Sequence, residues 1–119
     1  MEYLNDFLQI SYQTAAPIMP SDAPTISDAK KDSAILSWLS ASLPEGAQDT
    51  PIFYEIQARQ LPSNDWSTVA AKIEKCEHKL TDLLPEVEYL FRVRAKNEFG
   101  DSDFTSSVKL KAREGEWIF

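Results

Sequence analysis

Three stretches of the sequence alternate with a period of two between side chains that suit a protein interior and side chains that suit its surface. They are residues 34–39, 54–59 and 91–96. Because neighbouring side chains of a β-strand point to opposite faces, this period predicts strands with one face buried. Strands of that kind are typical of antiparallel sheets.

Turn-forming residues separate these strands, at residues 43–46, 61–65, 84–86 and 97–101. Weaker strands fit residues 25–28, 66–71, 76–80 and 105–111. After Pro24 no stretch has the pattern of a long amphipathic helix. The sequence therefore predicts an all-β fold, an antiparallel immunoglobulin-like sandwich of about seven strands.

The chain has 119 residues, which is enough for one domain and short extensions. Pro17, Pro20 and Pro24 disfavour helix and indicate an extended linker. We therefore predict an N-terminal extension and linker at residues 1–23, a domain at 24–113 and a tail at 114–119.

The formal net charge of -7 argues against nucleic acid as a partner, since such binding depends on Lys and Arg. No apolar run reaches the ~20 residues that cross a bilayer, so we expect no membrane partner. Cys76 is the only cysteine, no N-x-S/T acceptor is present, and residues 1–10 do not resemble a signal peptide. These features favour a cytoplasmic location, with an extracellular one as the alternative.

Few residues suggest catalysis or metal binding. His78, the only histidine, falls on the same strand face as Cys76, but a zinc site needs about four ligands, so the favoured interpretation is two residues at the edge of the core. Glu98, Asp101 and Asp103 lack the spacing of a calcium loop. We expect no enzyme activity, no cofactor, and no catalytic or metal-binding residue.

Residues 80–100 resemble the signature of the fibronectin type III family. The resemblance covers residues 24–113 and depends on Leu83, Pro85, Tyr89, Asn97 and Gly100, joined by Pro24, Trp38, Tyr54 and Trp66. It implies a tyrosine corner in which the hydroxyl of Tyr89 bonds to the backbone around Leu83. The expected structural core contains Trp38, Tyr54, Leu83, Tyr89, Phe91 and Val93.

Arg92, Arg94 and Lys96 are expected on the strand face opposite Phe91, beside Glu55. One interpretation is a basic docking surface. The other, which we favour, is pairing of charges across neighbouring strands.

Both ends carry apolar side chains suited to interaction. Tyr3, Phe7 and Leu8 fit a helical period, yet the segment 8–12 also alternates like a strand, so a docking helix, a self-association element and a strand of a preceding module all remain possible. Trp117 and Phe119 could pack on this domain or the next, or the carboxylate of Phe119 could enter a PDZ-type groove. Contact between modules is the favoured interpretation.

Within the family, residues 82–85 and 91–95 are most similar to modules of the muscle proteins titin, twitchin and myosin light chain kinase, although residues 45–49 replace their Gly-Gly turn. The resemblance implies a noncatalytic spacer and protein-interaction module of a larger protein, cytoskeletal or kinase-associated. The resemblance leaves the protein partner unidentified, with adjacent immunoglobulin-like, fibronectin or kinase domains as candidates. The alternative is an extracellular adhesion or receptor module.

Overall fold

The computed structural model describes residues 15–113 and 116–118, with side chains as far as residue 111. Within these ranges the chain forms strands and no helix, so none of the described residues belongs to a helix that could span a membrane. The strands are β1 Thr25–Ser27, β2 Ala34–Ser37, β3 Phe53–Gln60, β4 Ser67–Ile73, β5 Glu77–Leu80, β6 Glu88–Asn97, β7 Gly100–Asp101, β8 Val108–Arg113 and β9 Glu116–Ile118.

The strands form two sheets, and every pairing is antiparallel. One sheet has the order β1-β2-β5, and the other has the order β4-β3-β6-β8-β9, with the short β7 also paired to β6. The predicted antiparallel sandwich is confirmed, and each of the seven strands expected from the sequence is present. The structure adds β7 and β9, which are too short to show a hydrophobic period in the sequence.

Alternation along the central strands places the apolar side chains between the two sheets. In β6 buried and half-buried residues alternate from Glu88 to Ala95, as expected for a strand with one face in the core. Trp38 from one layer meets Tyr54 from the other, with ring centroids 5.5 Å apart. All six expected core residues are buried: Trp38, Tyr54, Leu83, Tyr89, Phe91 and Val93.

Two buried tyrosines tie loops to this core through their hydroxyl groups. The hydroxyl of Tyr89 accepts a hydrogen bond of 2.8 Å from the backbone N–H of Leu84, one residue beyond the position expected from the sequence. The hydroxyl of Tyr54 accepts a bond of 3.0 Å from the N–H of Ala41. Each ring therefore fills the core while its polar end satisfies a loop amide.

Several residues proposed for interaction lie at the ends of the chain. Tyr3, Phe7, Leu8 and Phe119 are outside the described residues, so their roles remain predictions. The backbone of Trp117 lies in β9 opposite Ala112, and its side chain is outside the description. The tail thus adds a strand to the edge of β8.

Candidate interaction surface

The register of β3 and β6 determines which side chains share the outer face of the larger sheet. Glu55 lies opposite Arg94, and Gln57 lies opposite Arg92. Since Phe91 and Val93 point into the core, the arginines between and beyond them point outward. Arg92 and Arg94 therefore lie on the face predicted for them, beside Gln57 and Glu55 of β3.

Glu55 lies at the centre of this face and is almost fully buried, with 4% of its surface exposed. Its carboxylate accepts a hydrogen bond from the Thr68 hydroxyl at 2.5 Å and from Arg94 Nε at 2.9 Å. The Lys96 ammonium lies 3.3 Å from the same oxygen that Arg94 binds. Burial raises the pKa of Glu55, but these hydrogen bonds and the Arg94 charge outweigh it and lower the pKa to about 2.

Arg92 lies between two aromatic rings. Its guanidinium carbon is 4.0 Å from the ring centroid of Trp66 and 3.9 Å from that of Phe104. Arg92 also donates to Gln57 Oε1, from Nη2 at 2.8 Å and from Nε at 3.2 Å. Burial and the charge of neighbouring Arg94 lower the pKa of Arg92, yet a guanidinium keeps its proton at any physiological pH.

Arg94 also lies over the Phe104 ring, with 4.7 Å between its guanidinium carbon and the ring centroid. Phe104 therefore contacts both arginines, and Trp66 contacts Arg92. We call this surface the cation–aromatic face. Its residues are Glu55, Gln57, Trp66, Arg92, Arg94 and Phe104.

The loop that carries Phe104 is held against β6 by two buried side chains. The Ser102 hydroxyl accepts from the N–H of Ala95 at 2.8 Å, and the Thr105 hydroxyl accepts from the N–H of Val93 at 3.1 Å. The N–H groups of Ser102 and Thr105 return bonds to the carbonyls of the same two residues. This loop therefore follows β6 closely, and the position of Phe104 is fixed by the fold.

The ion pair between Glu55 and Arg94 has the cross-strand geometry that the charge-pairing interpretation expected. Arg94 also lies 3.4 Å from Asp101. The docking interpretation of Arg92 and Arg94 remains a prediction. The two interpretations are compatible, because paired charges and stacked rings hold the surface in one arrangement.

His78 lies in β5 of the smaller sheet and Cys76 just before that strand, so both are away from this face. Both are half-buried, and Cys76 packs against the core as a free thiol. Over residues 15–113 no three His, Cys, Asp or Glu side chains converge as metal ligands.

The domain family described as "Fibronectin type III domain" matches residues 19–111. The chain belongs to the fibronectin type III family. The match covers both sheets from β1 into β8 and includes all residues of the cation–aromatic face.

Two relatives of this fibronectin type III module share more than a third of the aligned residues. Protein sidekick-2 of Mus musculus is 38% identical over 81 residues, which are 66% of this chain and 4% of that protein. Roundabout homolog 1 of Homo sapiens is 38% identical over 88 residues, which are 73% of this chain and 5% of that protein. The module thus spans a small fraction of the curated relatives it matches, and modules of this family occur in multidomain proteins.

Among solved structures, the twitchin kinase region from C. elegans contains a similar fold. It aligns with a TM-score of 0.66 and 23% identity, covering 86% of this module and 20% of that chain. At this identity the likeness shows the fold alone.

Sequence reasoning found Arg92 and Arg94 but missed the two groups that position them, Thr68 and Phe104. Thr68 is the hydroxyl partner of Glu55, and Phe104 is the ring that both arginines contact. Phe104 lies in a loop without a hydrophobic period, so no local pattern indicated its partner. The sequence predicts Trp66 at the start of a strand and as part of the family resemblance, but does not indicate its contact with Arg92.

Proposed function

We propose that this fibronectin type III module is a noncatalytic spacer and protein-interaction module of a larger protein, and that the cation–aromatic face binds its protein partner. The observation that supports this most strongly is the placement of Arg92 between Trp66 and Phe104. Trp, Phe and Arg are enriched in protein interfaces, and Trp and Arg carry much of the binding energy in the cases that have been scanned.

The face is also held in place before a partner arrives. Arg92 is fixed by two rings and two hydrogen bonds, and Arg94 by the Glu55 carboxylate. A side chain that is already ordered loses less conformational entropy on binding. This supports the face as a binding surface over exposed lysines such as Lys79, for which the fold supplies no such support.

We also propose that the parent protein is cytoplasmic. A cytoplasmic, cytoskeletal or kinase-associated setting is supported by the single free thiol of Cys76 and by the resemblance of residues 82–85 and 91–95 to muscle-protein modules. The likeness to the twitchin structure supports the fold and not the location. Because the sequence relatives named above are sidekick-2 and roundabout 1, an extracellular adhesion or receptor module remains the alternative.

Photo-crosslinking in cells tests the interaction role. A photoreactive amino acid replaces Asp103, an exposed residue next to Phe104, in the full-length parent protein, and the control protein carries it at Lys79 on β5. We expect protein adducts from position 103 that are lost when Arg92→Ala is also present, and few adducts from position 79. Equal adduct formation at both positions, or adducts that persist with Arg92→Ala, would contradict the proposed face.

A glycosylation experiment on the same full-length protein tests whether the module is cytoplasmic or extracellular. An acceptor sequence for N-glycosylation introduced at the exposed turn residue Glu45 should stay unmodified in a cytoplasmic protein. Glycosylation there would support the extracellular alternative instead.

A further inference from the structure

Residues 15–23, which precede the first strand, contact the loops at one end of the sandwich. We call them the entry segment. Ile18 and Ser42 form a two-way backbone bridge, in which the N–H of Ile18 donates to the Ser42 carbonyl at 2.8 Å and the N–H of Ser42 donates back at 2.9 Å. Further along, the N–H of Ser106 donates to the Ser21 carbonyl at 2.9 Å. The entry segment therefore bonds to two separate loops.

The side-chain amide of Asn97 joins the entry segment to two more parts of the fold. Its Nδ2 donates to the carbonyl of Ala15 at 2.8 Å and to the hydroxyl of Thr50 at 2.9 Å. Its Oδ1 accepts from the N–H groups of Phe99 and Gly100 at 3.0 and 3.1 Å. An amide has two donor hydrogens and two acceptor positions, so this side chain is fully used.

Packing reinforces these bonds. Ala15 is 6% exposed, Pro17 is buried, and Met19 packs against the hydrophobic core. A Cβ atom added at Gly100 would lie 3.3 Å from the Cβ of Ala16, so the turn and the entry segment are in close contact. Pro17 and Pro20 also fix two φ angles of the segment, which lowers the entropy lost on docking.

We propose that the entry segment is a clamp that fixes the direction in which the preceding chain enters the module. The Ala15 carbonyl is held by Asn97, and Ile18 and Ser21 are held by backbone bonds, so the segment cannot act as a flexible linker. The module is then a rigid junction for whatever precedes residue 15. The role of the clamp in the parent protein rests on the proposed spacer function. The existence of the clamp depends only on contacts within this chain.

Two NMR measurements on the 119-residue chain test the clamp directly. We expect the {1H}-15N heteronuclear NOE values of the non-proline residues in 15–23 to equal those of β3 and β6. The amides of Ile18, Ser42 and Ser106 should exchange slowly with solvent. NOE values well below those of the strands, with unprotected amides at these three positions, would overturn the proposal.

Asn97→Asp isolates the contribution of the amide. The carboxylate keeps an oxygen that can accept from the Phe99 and Gly100 amides, but it has no hydrogen to donate and places an oxygen against the Ala15 carbonyl. We expect the protection of the Ile18 amide to fall roughly fivefold to tenfold, the value of one hydrogen bond, while the buried Val93 amide is unchanged. Unchanged protection of Ile18 would overturn the role of Asn97.

A pair of variants at Ile18 tests the clamp independently, in case Asn97→Asp unfolds the chain. Ile18→Pro removes the N–H that bonds to Ser42, and its control Ile18→Ala removes only a side chain that is 54% exposed. We expect the Ser42 and Ser106 amides to lose protection in the first variant and keep it in the second. Equal behaviour of the two variants would overturn the clamp. None of these measurements involves the cation–aromatic face, so failure here is distinguishable from failure of the proposed function.

Discussion

Arg94 Nε donates a hydrogen bond of 2.9 Å to Glu55 Oε1, across two strands of the larger sheet. The carboxylate is buried and the arginine is largely covered, so this pair is unlike an ion pair on an open surface. Because the hydrogen-bond partners of this carboxylate favour its charged form, the pKa of Glu55 falls from the ordinary value of 4.5 to about 2. The module should therefore depend on this carboxylate for stability at neutral pH.

We expect Glu55→Gln to lower the free energy of unfolding at pH 7 by about 2 to 3 kcal/mol. The folded-state pKa is depressed, so the contribution is fully present above pH 4.5 and is lost as the pH falls towards 2. The difference between wild type and variant, measured by urea unfolding, should shrink across that window.

Glu77→Gln is the control for this prediction, because Glu77 is an exposed carboxylate on β5. Its stability should stay close to that of the wild type at both ends of the pH range. A Glu55→Gln difference that is the same at pH 7 and at pH 2 would rule out the ionised carboxylate as the cause.

Arg92 and Trp66 should be energetically coupled, since the guanidinium lies 4.0 Å from the indole centroid. A double-mutant cycle with Arg92→Met and Trp66→Leu should give a coupling of about 1 kcal/mol, within the range for a partly desolvated cation–π contact. Additive effects, measured by chemical unfolding, would mean that the stack contributes nothing beyond its buried area.

Tyr89→Phe should remove the hydroxyl that accepts from the Leu84 amide at 2.8 Å and keep the ring. Because Leu84 is exposed, water can partly replace the lost acceptor, and we expect a loss of about 1 kcal/mol. The melting temperature of the variant measures this. An unchanged value would show that the corner hydrogen bond does not stabilise the fold.

Trp38 allows a prediction about a buried polar atom. Its indole N–H is buried and finds no acceptor among the described residues, so it gives the ring no hydrogen-bond contribution. We expect Trp38→Phe to cost about 1 kcal/mol, and Trp38→Ala to cost about 3 to 5 kcal/mol through the cavity it leaves. Similar losses for both, by urea unfolding, would indicate that the N–H has a partner.

The fold was predictable because its main signals are local. A period of two in residues 54–59 and 91–96 places Tyr54 and Phe91 in the core and Glu55 and Arg92 outside it, whatever the detailed register. Turn residues between the strands gave their number and approximate bounds.

The candidate face was predictable only in part, because stacking depends on contacts distant in sequence. The sequence placed Arg92 and Arg94 next to Glu55, but Phe104 reaches them from a loop whose path is set by hydroxyl bonds to β6. The contact between Asn97 and Ala15 joins residues 82 positions apart, and no pattern in either segment indicates it. Such contacts follow from the assembled sandwich, not from local periodicity.

The NMR shifts of the Arg92 side chain report whether the cation–aromatic face is ordered before any partner binds. Because Arg92 lies between two rings, its Hδ protons should be shifted upfield by ring currents in the isolated chain. Trp66→Leu and Phe104→Leu should each move them part of the way back. Arg92 Hδ shifts at the values of a solvent-exposed arginine, unaffected by either substitution, would show that the face is not ordered in the free module.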